Sequence, residues 1–446
     1  MQANASHAAP PLAIEHLALD RILPDPRNPR LHSKRQIRQV ANSIERFGHL
    51  VPALVDREGR LIAGHARLQA SQLLQRAQMP VIRIEHLSPE QVRAYMIADN
   101  RLAEHATWDD QRLAEAFQDL LALDLDFSIE TTGFDLAEID LRIEQLQTSS
   151  APQEPPIEPP QAVAISRPGD LWTLGEHRLL CGNALVEADY QTVLGPRVAD
   201  LVFTDPPYNV PIAGHVSGNG LVRHREFPMA CGEMSAEQFT AFLTGFFQRT
   251  WQFSRDGSIH YVCMDWRHLG ETLAAGAAVD AELKNLCIWD KGAAGMGSLY
   301  RSQHELVLVF KHGSAAHINN VQLGRYGRHR SNVWRYPGVN SFARSTDEGK
   351  LLELHPTVKP VALVQDALLD CSHRGDTVLD PFLGSGSTLI AAERAGRRCC
   401  GLELDPRYVD VAIRRWQKHT GHDAVHAASG ETFQARQAHV EESGHA

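Results

Sequence analysis

The hydrophobic pattern divides the chain into a long C-terminal part and a shorter N-terminal one. From about residue 165 onward, short apolar runs of strand character alternate with stretches of helical spacing. Residues 177–184 read as a strand ending in a turn, 190–194 as a helical piece, and 199–203 (ADLVF) as a buried strand. Residues 239–251 have helical periodicity, and 258–264, 286–290 and 305–310 read as further strands. Residues 377–380 read as another strand, followed by a glycine-rich turn and a helix over 388–395. Alternation of this kind predicts an α/β fold, with a mostly parallel sheet covered by helices.

The N-terminal third is patterned differently. Residues 12–86 alternate short apolar runs with turn signals, which predicts a smaller α+β domain. A stiff Pro-rich loop spans 24–30, and helical spacing over 37–44 stops near Gly48. Residues 52–56 and 61–63 read as a hairpin around the turn 57–60. Gly64-His65-Ala66-Arg67 then opens a helix over 68–75. Leu113, Phe117, Leu120, Leu121, Leu136, Ile139, Ile143 and Leu146 recur at spacings of three and four, which predicts an appended helical pair serving as packing surface. The Pro-, Ser- and Glu-rich run 148–160 is expected to be an extended, semi-rigid spacer, and the polar tail from Gly421 to be frayed. The expected division is 1–107, a helical extension 108–147, a linker 148–164, a main domain 165–425 and a flexible tail 426–446.

Composition narrows the class. The chain has 446 residues, 43% hydrophobic and 22% charged, which fits two or three globular domains. No apolar run reaches the roughly 18–20 residues of a membrane helix. Met1 to Pro10 lacks the regions of a signal peptide, so a cytoplasmic location is expected. The seven cysteines form no C-x-x-C pair, and the 23 histidines show no ligand spacing; no metal is expected. A net charge of −10 argues against a surface coated for nucleic acid, but not against a local basic cleft.

The chemistry centres on Thr204-Asp205-Pro206-Pro207-Tyr208-Asn209, directly after the strand 199–203. Proline has no N–H and a fixed φ, so two prolines end the ladder in a stiff turn. That turn presents a carboxylate, proline carbonyls and an aromatic ring. An exocyclic amine on a nucleobase is a poor nucleophile, because its lone pair is delocalised into the ring. Acceptors at its N–H groups (the Asp205 carboxylate, the Pro206 carbonyl) draw the nitrogen towards pyramidal geometry, and Tyr208 can stack on a base taken out of the duplex. Asp205 can stabilise the cation that forms and accept a proton afterwards. Taken alone, the same residues also describe a Pro-Pro turn with a capping Asp. The second signature is Asp380-Pro381-Phe382-Leu383-Gly384-Ser385-Gly386, a strand end and glycine-rich turn before a helix. About 20 residues beyond Gly384, the strand 401–405 carries Glu403, placed as an acid that reaches ribose hydroxyls. The G-x-G pattern lacks a third glycine, so a dinucleotide oxidoreductase is the looser reading.

The two signatures in this order, over about residues 165 to 420, resemble the DNA amino-methyltransferases that use S-adenosylmethionine, in their β-type circular permutation. The resemblance implies a Rossmann-like methyltransferase sheet. It places Asp205, Pro206, Pro207 and Tyr208 in the catalytic box. Asp380, Pro381, Phe382, Gly384, Ser385 and Gly386 fall at the cofactor's methionine and backbone contacts, and Glu403 at its ribose. Asn183 stands where many relatives have an acid at the adenine amine; a turn residue is the plainer reading. The segment 355–360, with Lys359, matches the one before the cofactor helix, and Lys359 is carried over as cofactor-binding. A DPPY box goes more often with adenine N6, so adenine is expected, with cytosine N4 the alternative. Arg325, Arg328, Arg330, Trp334 and Arg335 lie in an acid-free stretch (322–338) suited to double-stranded DNA, together with the loop 211–228. A solvated loop is the plainer reading of that stretch.

The N-terminal hundred residues resemble the ParB/sulfiredoxin-like domain through Asn28-Pro29-Arg30, Gly64-His65-x-Arg67 and Ala98-Asp99-Asn100-Arg101. This implies a phosphate or nucleotide-triphosphate site at Gly64, His65, Arg67, Asn100 and Arg101. The domain has no cysteine, which excludes sulfiredoxin thiol chemistry. The second box departs from the ParB pattern, which favours a docking or packing module over nucleotide turnover. A nucleotide-responsive DNA-binding protein with a vestigial methyltransferase half is the reading of another class, and methylation of RNA or a protein amide a third. A homodimer and a restriction or replication partner are left open.

Overall fold

The computed structural model describes residues 12–123, 125–149, 157–161, 163–210, 232–292, 299–321, 330–337 and 358–444. The chain forms two compact units, Met1–Ser150 and Ala151–Ala446.

The first unit is built on the sheet β1 (Ile14–Ala18), β2 (Ala53–Val55), β3 (Leu61–Ala63) and β4 (Gln78–Arg83), in the order β1-β4-β2-β3. Helices α1 (Lys34–Phe47), α2 (His65–Leu73) and α3 (Pro89–Glu104) accompany it. Alternation sorts its side chains. Ala53, Val55, Leu61, Met79 and Val81 pack on Leu68 of α2, whereas Leu54, Ile62 and Ile82 pack with Met96 of α3. Ser33 caps α1, accepting from the Gln36 N–H at 3.1 Å, and Gly48 (φ 79°) closes it. The helical pair α4 (Asp110–Leu121) and α5 (Leu136–Ser149) packs around Phe117, Ile139 and Ile143. It is tied to α1 by Gln39 donating to the Gly133 carbonyl at 2.8 Å and by Phe47 edge-on to Phe127. The side chain of Leu146 lies outside the described residues.

The second unit contains β5 (Leu171–Leu174), β6 (His177–Cys181), α6 (Glu187–Leu194), β7 (Ala199–Thr204), α7 (Ala236–Gln252), β8 (Ser254–Met264), α8 (Leu269–Ala277), β9 (Glu282–Asp290), β10 (His304–Lys311) and β11 (Val333–Arg335). It continues with α9 (Val361–Cys371), β12 (Thr377–Asp380), α10 (Ser387–Ala395), β13 (Arg398–Glu403), α11 (Pro406–Thr420), β14 (Val425–His426) and α12 (Phe433–Gly444). Among the described residues these strands form one ten-stranded sheet, ordered β11-β9-β10-β8-β7-β12-β13-β6-β5-β14. The central block β6-β13-β12-β7-β8 is parallel. The flanks are not wholly so. β10 is antiparallel to both β8 and β9, and β5 to both β6 and β14. The expectation of a mostly parallel sheet therefore holds for the middle and not for the edges, because parallel neighbours need a crossover connection and short links favour reversal.

Both sheet faces are buried, which explains the near-continuous apolar runs. Leu201, Phe203, Tyr261, Cys263, Val307 and Val309 pack with α9, α10 and α11. Val262, Met264, Leu306, Leu308 and Phe310 pack with α7, and Leu180, Val202 and Leu402 with α6.

Two expectations at the ends of this unit are overturned. The later part of the Pro-rich run is docked: Ile157 is buried, Gln161 accepts from Arg414 at 2.9 Å, and the Asp410 carboxylate caps the N–H groups of Ile165 and Ser166. The tail is not frayed up to residue 444. β14 pairs with β5, and Phe433 is buried against Trp172 with ring centroids 5.4 Å apart.

Candidate active site

Four parallel strands end side by side, and each ends in or runs directly into a residue of one cleft in the second unit. β6 runs into Gly182-Asn183, β13 ends at Glu403, β12 at Asp380, and β7 at Thr204 followed by Asp205. The carboxyl ends of parallel strands are where open α/β sheets bind ligands. The cleft gathers Asn183, Asp205, Pro206, Pro207, Tyr208, Lys359, Asp380, Pro381, Phe382, Gly384, Ser385 and Glu403. All of these were singled out in the sequence, and they come together although up to 220 residues separate them.

One wall is the glycine turn. Gly384 (φ 53°) and Gly386 (φ 84°) both take the left-handed conformation, which lets the chain turn from β12 into α10. A Cβ on Gly386 would stand 3.1 Å from the Cβ of Ala412, so α11 backs the turn closely. Glu403 braces it: one carboxylate oxygen accepts from the Gly384 N–H at 2.9 Å, the other from the Asp405 N–H at 2.8 Å. Each oxygen keeps a lone pair for a further donor. Asp380 accepts from the Phe382 N–H at 3.0 Å. Burial pushes the carboxyls of Asp380 and Glu403 up to about 7. Asn183 is engaged in its own turn, its Oδ1 accepting from the Leu185 N–H at 2.9 Å.

The other wall is a buried charge cluster. The Tyr208 hydroxyl donates to Asp205 at 2.5 Å, and the Lys359 ammonium lies 2.6 Å from Asp205 and 2.9 Å from Glu305. Lys291 pairs with the other oxygen of Glu305. Burial raises the Asp205 carboxyl, with Lys359 opposing and the Glu305 charge adding to the rise. Burial acts on Glu305 too, but two ammonium groups outweigh it and bring the carboxyl down to about 2. Lys359 sits over the Tyr208 ring at 5.5 Å.

Lys359 is thus corrected. It lines the cleft, but its ammonium binds the Asp205 side of it, because the segment before α9 crosses the ends of β7 and β10. Glu305, Lys291 and Asn209 carry the site without having been singled out. The signal for Glu305 was available: an acid directly before five apolar residues, Leu306 to Phe310, in one strand. Asn209 takes a left-handed φ of 52°, accepts from the N–H groups of Gly232 and Met234, and donates to the Met234 carbonyl at 2.9 Å. It thereby ties the end of the Asp205 turn to Gly232 and Met234, before α7.

Two expected DNA contacts are also corrected. Arg330 is ion-paired to Asp366 at 2.9 Å and Asp370 at 3.1 Å, and donates to the Tyr336 hydroxyl at 2.7 Å. Trp334 is only 5% exposed and packs in the core beside Tyr261. The stretch has no acid of its own, but α9 supplies two. Arg335 is exposed at 85%. Arg325, Arg328 and the loop 211–228 lie outside the described residues.

In the first unit, Gly64, His65, Arg67 and Asn100 line one cavity with Asn28, Arg30 and Asp99. Gly64 (φ 105°) opens α2, and a Cβ there would stand 2.9 Å from the Cβ of Ala53. His65 Nε2 and Arg67 Nε are buried without a hydrogen-bond partner among the described residues. Burial lowers the Arg67 guanidinium from its ordinary value. Arg101 is corrected: the turn of α3 that brings Asn100 to the cavity carries Arg101 outward, where it pairs with Glu104 at 3.0 Å.

Three stretches of the chain match known families. Residues 199–414 match the N6/N4 DNA methylase family, residues 3–100 the ParB N-terminal domain, and residues 111–168 the ParB-methyltransferase helix-turn-helix domain. The last match gives the helical pair, expected only as packing surface, a family of its own. The chain is 24% identical over 254 residues to the type II methyltransferase M2.MboI of Moraxella bovis, covering 54% of this chain and 87% of that one. A solved structure, a putative DNA modification methylase from Thermus thermophilus complexed with S-adenosyl-L-methionine, is similar at 22% identity and a TM-score of 0.38, over 57% of this chain and 96% of that one. The chromosome-partitioning protein ParB from Caulobacter crescentus, complexed with CTP-gamma-S, is similar at 20% identity and a TM-score of 0.26, over 32% and 81%. Residues 199–414 thus carry an N6/N4 DNA methylase domain, and residues 3–100 a ParB N-terminal domain.

Proposed function

We propose that the chain transfers a methyl group from S-adenosylmethionine to the N6 amine of an adenine taken out of duplex DNA. The observation that carries this is the cleft itself, where Asp205, Asp380 and Glu403 stand at neighbouring strand ends beside a glycine turn.

The residues present fit the cofactor. Asp380 and Glu403 are buried carboxylates outside any ion pair among the described residues, and both retain acceptor capacity. They suit a ligand that brings an ammonium group and ribose hydroxyls. Asp380, Pro381, Phe382, Gly384, Ser385 and Gly386 would hold the methionine end, Glu403 the ribose, and Asn183 the adenine amine. Bound there, the cofactor supplies an electrophilic methyl group, the N–C bond forming as the S–C electron pair stays on sulfur. The chain's own residues act on the acceptor amine. Asp205 accepts one N–H and the Pro206 carbonyl the other, which frees the nitrogen lone pair. The positive charge that develops on nitrogen is met by the Asp205 carboxylate, which then takes the proton the nitrogen loses. Tyr208 lines the place where the base enters. Adenine is preferred to cytosine on the DPPY box. Arg335 is proposed to meet phosphate.

For the first unit we propose a nucleotide-triphosphate site at Gly64, His65, Arg67 and Asn100, supported by the two unpartnered buried nitrogens and the uncapped start of α2. Methyl transfer from labelled cofactor to mixed-sequence duplex DNA, with nucleosides identified by mass spectrometry, tests the main reading. N6-methyl-2′-deoxyadenosine is expected. N4-methylated cytosine would change the base, and an unlabelled digest at saturating cofactor would overturn the reading.

A further inference from the structure

The cleft contains more charge than the methyl-accepting chemistry above has used. Beside Asp205 stand Glu305, Lys359 and Lys291, brought together at the ends of the strands from separate parts of the chain. Side-chain exposure is 5% for Lys359, 11% for Glu305 and 19% for Asp205. Ion pairs this far from water stabilise a fold poorly compared with apolar packing of similar volume. A stability role alone is therefore a weak account of four charges.

The geometry divides the work. Glu305 is bound at both oxygens, one to Lys291 and the other to Lys359 at 2.9 Å. Lys359 reaches past Glu305 to Asp205 Oδ2 at 2.6 Å, while Asp205 Oδ1 receives the Tyr208 hydroxyl at 2.5 Å. Each oxygen of Asp205 thus has one partner that sets its direction and one lone pair left for a donor. We propose that Lys359 is a positioning residue: anchored by Glu305, its ammonium fixes the direction and the charge of the Asp205 carboxylate that receives the target amine. Glu305 is the permanent counter-ion of the two lysines, and Asp205 the carboxylate free to take and release a proton. This rests on the methyltransferase reading and adds the device that keeps its carboxylate ready.

The charges facing Asp205 can be named from each element around it. Tyr208 comes from its own turn, Cys263 from β8, Glu305 from β10 with Lys291 behind it, Asp380 from β12, and Lys359 from the segment before α9. Burial and the like charges of Glu305 and Asp380 favour a protonated Asp205; Lys359 is the cation that opposes them. The two neighbours therefore have opposite signs of influence. Loss of Lys359 leaves Asp205 protonated over a wider range of pH. Loss of the Glu305 charge removes a repulsion and leaves Lys359 to Asp205 alone.

The test is a pH titration of the Asp205 carboxyl carbon by NMR in the full-length chain, labelled in aspartate and assigned by difference from Asp205→Asn. It needs no catalytic activity. Lys359→Met is expected to raise the midpoint by more than about one pH unit, a tenfold change in proton affinity. Lys359→Arg is expected to stay within about half a unit of the wild type, and Glu305→Gln to lower the midpoint. The acid limb of the pH profile of kcat/KM should move in the same directions. Should Lys359→Met fail to fold, Lys359→Arg and Glu305→Gln still carry opposite expectations to a purely structural role. An unmoved midpoint, or shifts of one sign in both Lys359→Met and Glu305→Gln, overturns the proposal. A wild-type chain that never methylates DNA overturns the methyltransferase reading and leaves the titration result standing.

Discussion

Arg330 gives a sharp test of whether the basic stretch before β11 serves the fold or the DNA. Its guanidinium, 19% exposed, lies between Asp366 and Asp370, whose side chains are 20% and 6% exposed. It also donates to Tyr336 and stacks over Trp334 at 5.2 Å. Arg330→Met keeps much of the aliphatic bulk and removes the charge. Two largely buried carboxylates then lose the guanidinium between them, a change that costs about 3–5 kcal/mol when one partner of a buried pair is lost. Each kcal/mol lowers the melting temperature of a unit this size by about 2–4 °C, so the transition of the second unit should fall by roughly 6–20 °C. Converting Asp366 and Asp370 to amides in the same background should recover part of the loss, because it removes the two buried negative charges that Arg330 faced. The assay is thermal unfolding by circular dichroism, alongside DNA affinity at two salt concentrations. A melting temperature within about 2 °C of the wild type, with DNA affinity down roughly tenfold and a shallower salt dependence, would refute the structural role and return Arg330 to the DNA surface.

Other consequences follow from the same geometry. The folded Glu403 carboxyl holds its proton up to about 7, whereas an unfolded glutamate releases it near its ordinary value of 4.5. The folded state therefore binds more protons between those values, and stability falls as pH rises through that window. Glu403→Gln should flatten this part of the stability–pH curve measured by denaturant titration, and weaken cofactor binding in calorimetry by roughly tenfold or more. Gly386→Ala combines a left-handed φ with a Cβ 3.1 Å from Ala412. It should destabilise the unit by roughly 1–3 kcal/mol in the same titration and raise the dissociation constant of the cofactor. Arg67→Met should abolish nucleotide-triphosphate binding by the first unit in calorimetry, and Arg67→Lys should not restore it, because the fork of the guanidinium is lost.

Periodicity made the parallel block and its cleft legible before any coordinates. Strand 377–380 is an apolar run ending in Asp380, strand 199–203 is one followed two residues later by Asp205, and in the sheet they are neighbours. Glycine at 384 and 386 marked the turn for the physical reason found there, a positive φ. What stayed hidden was long-range pairing. Arg330 and Trp334 read as a basic, aromatic recognition strip because the acids that neutralise Arg330 lie 36 and 40 residues away on α9. Lys359 read as part of the cofactor segment because nothing local says that it reaches the Asp205 turn. Arg101 read with Asn100 because adjacent residues on a helix share a motif but not a face. The tail and the Pro-rich run were judged by average polarity, which passes over single buried residues such as Phe433 and Ile157.

The most direct test of the account compares the wild type with Asp205→Ala in methyl transfer from labelled S-adenosylmethionine to duplex DNA. Cofactor affinity is measured on both. The account predicts N6-methyl-2′-deoxyadenosine from the wild type, a rate lower by roughly a hundredfold or more in the variant, and cofactor dissociation constants within about threefold of each other. Full methylation by Asp205→Ala with cofactor bound would contradict the account.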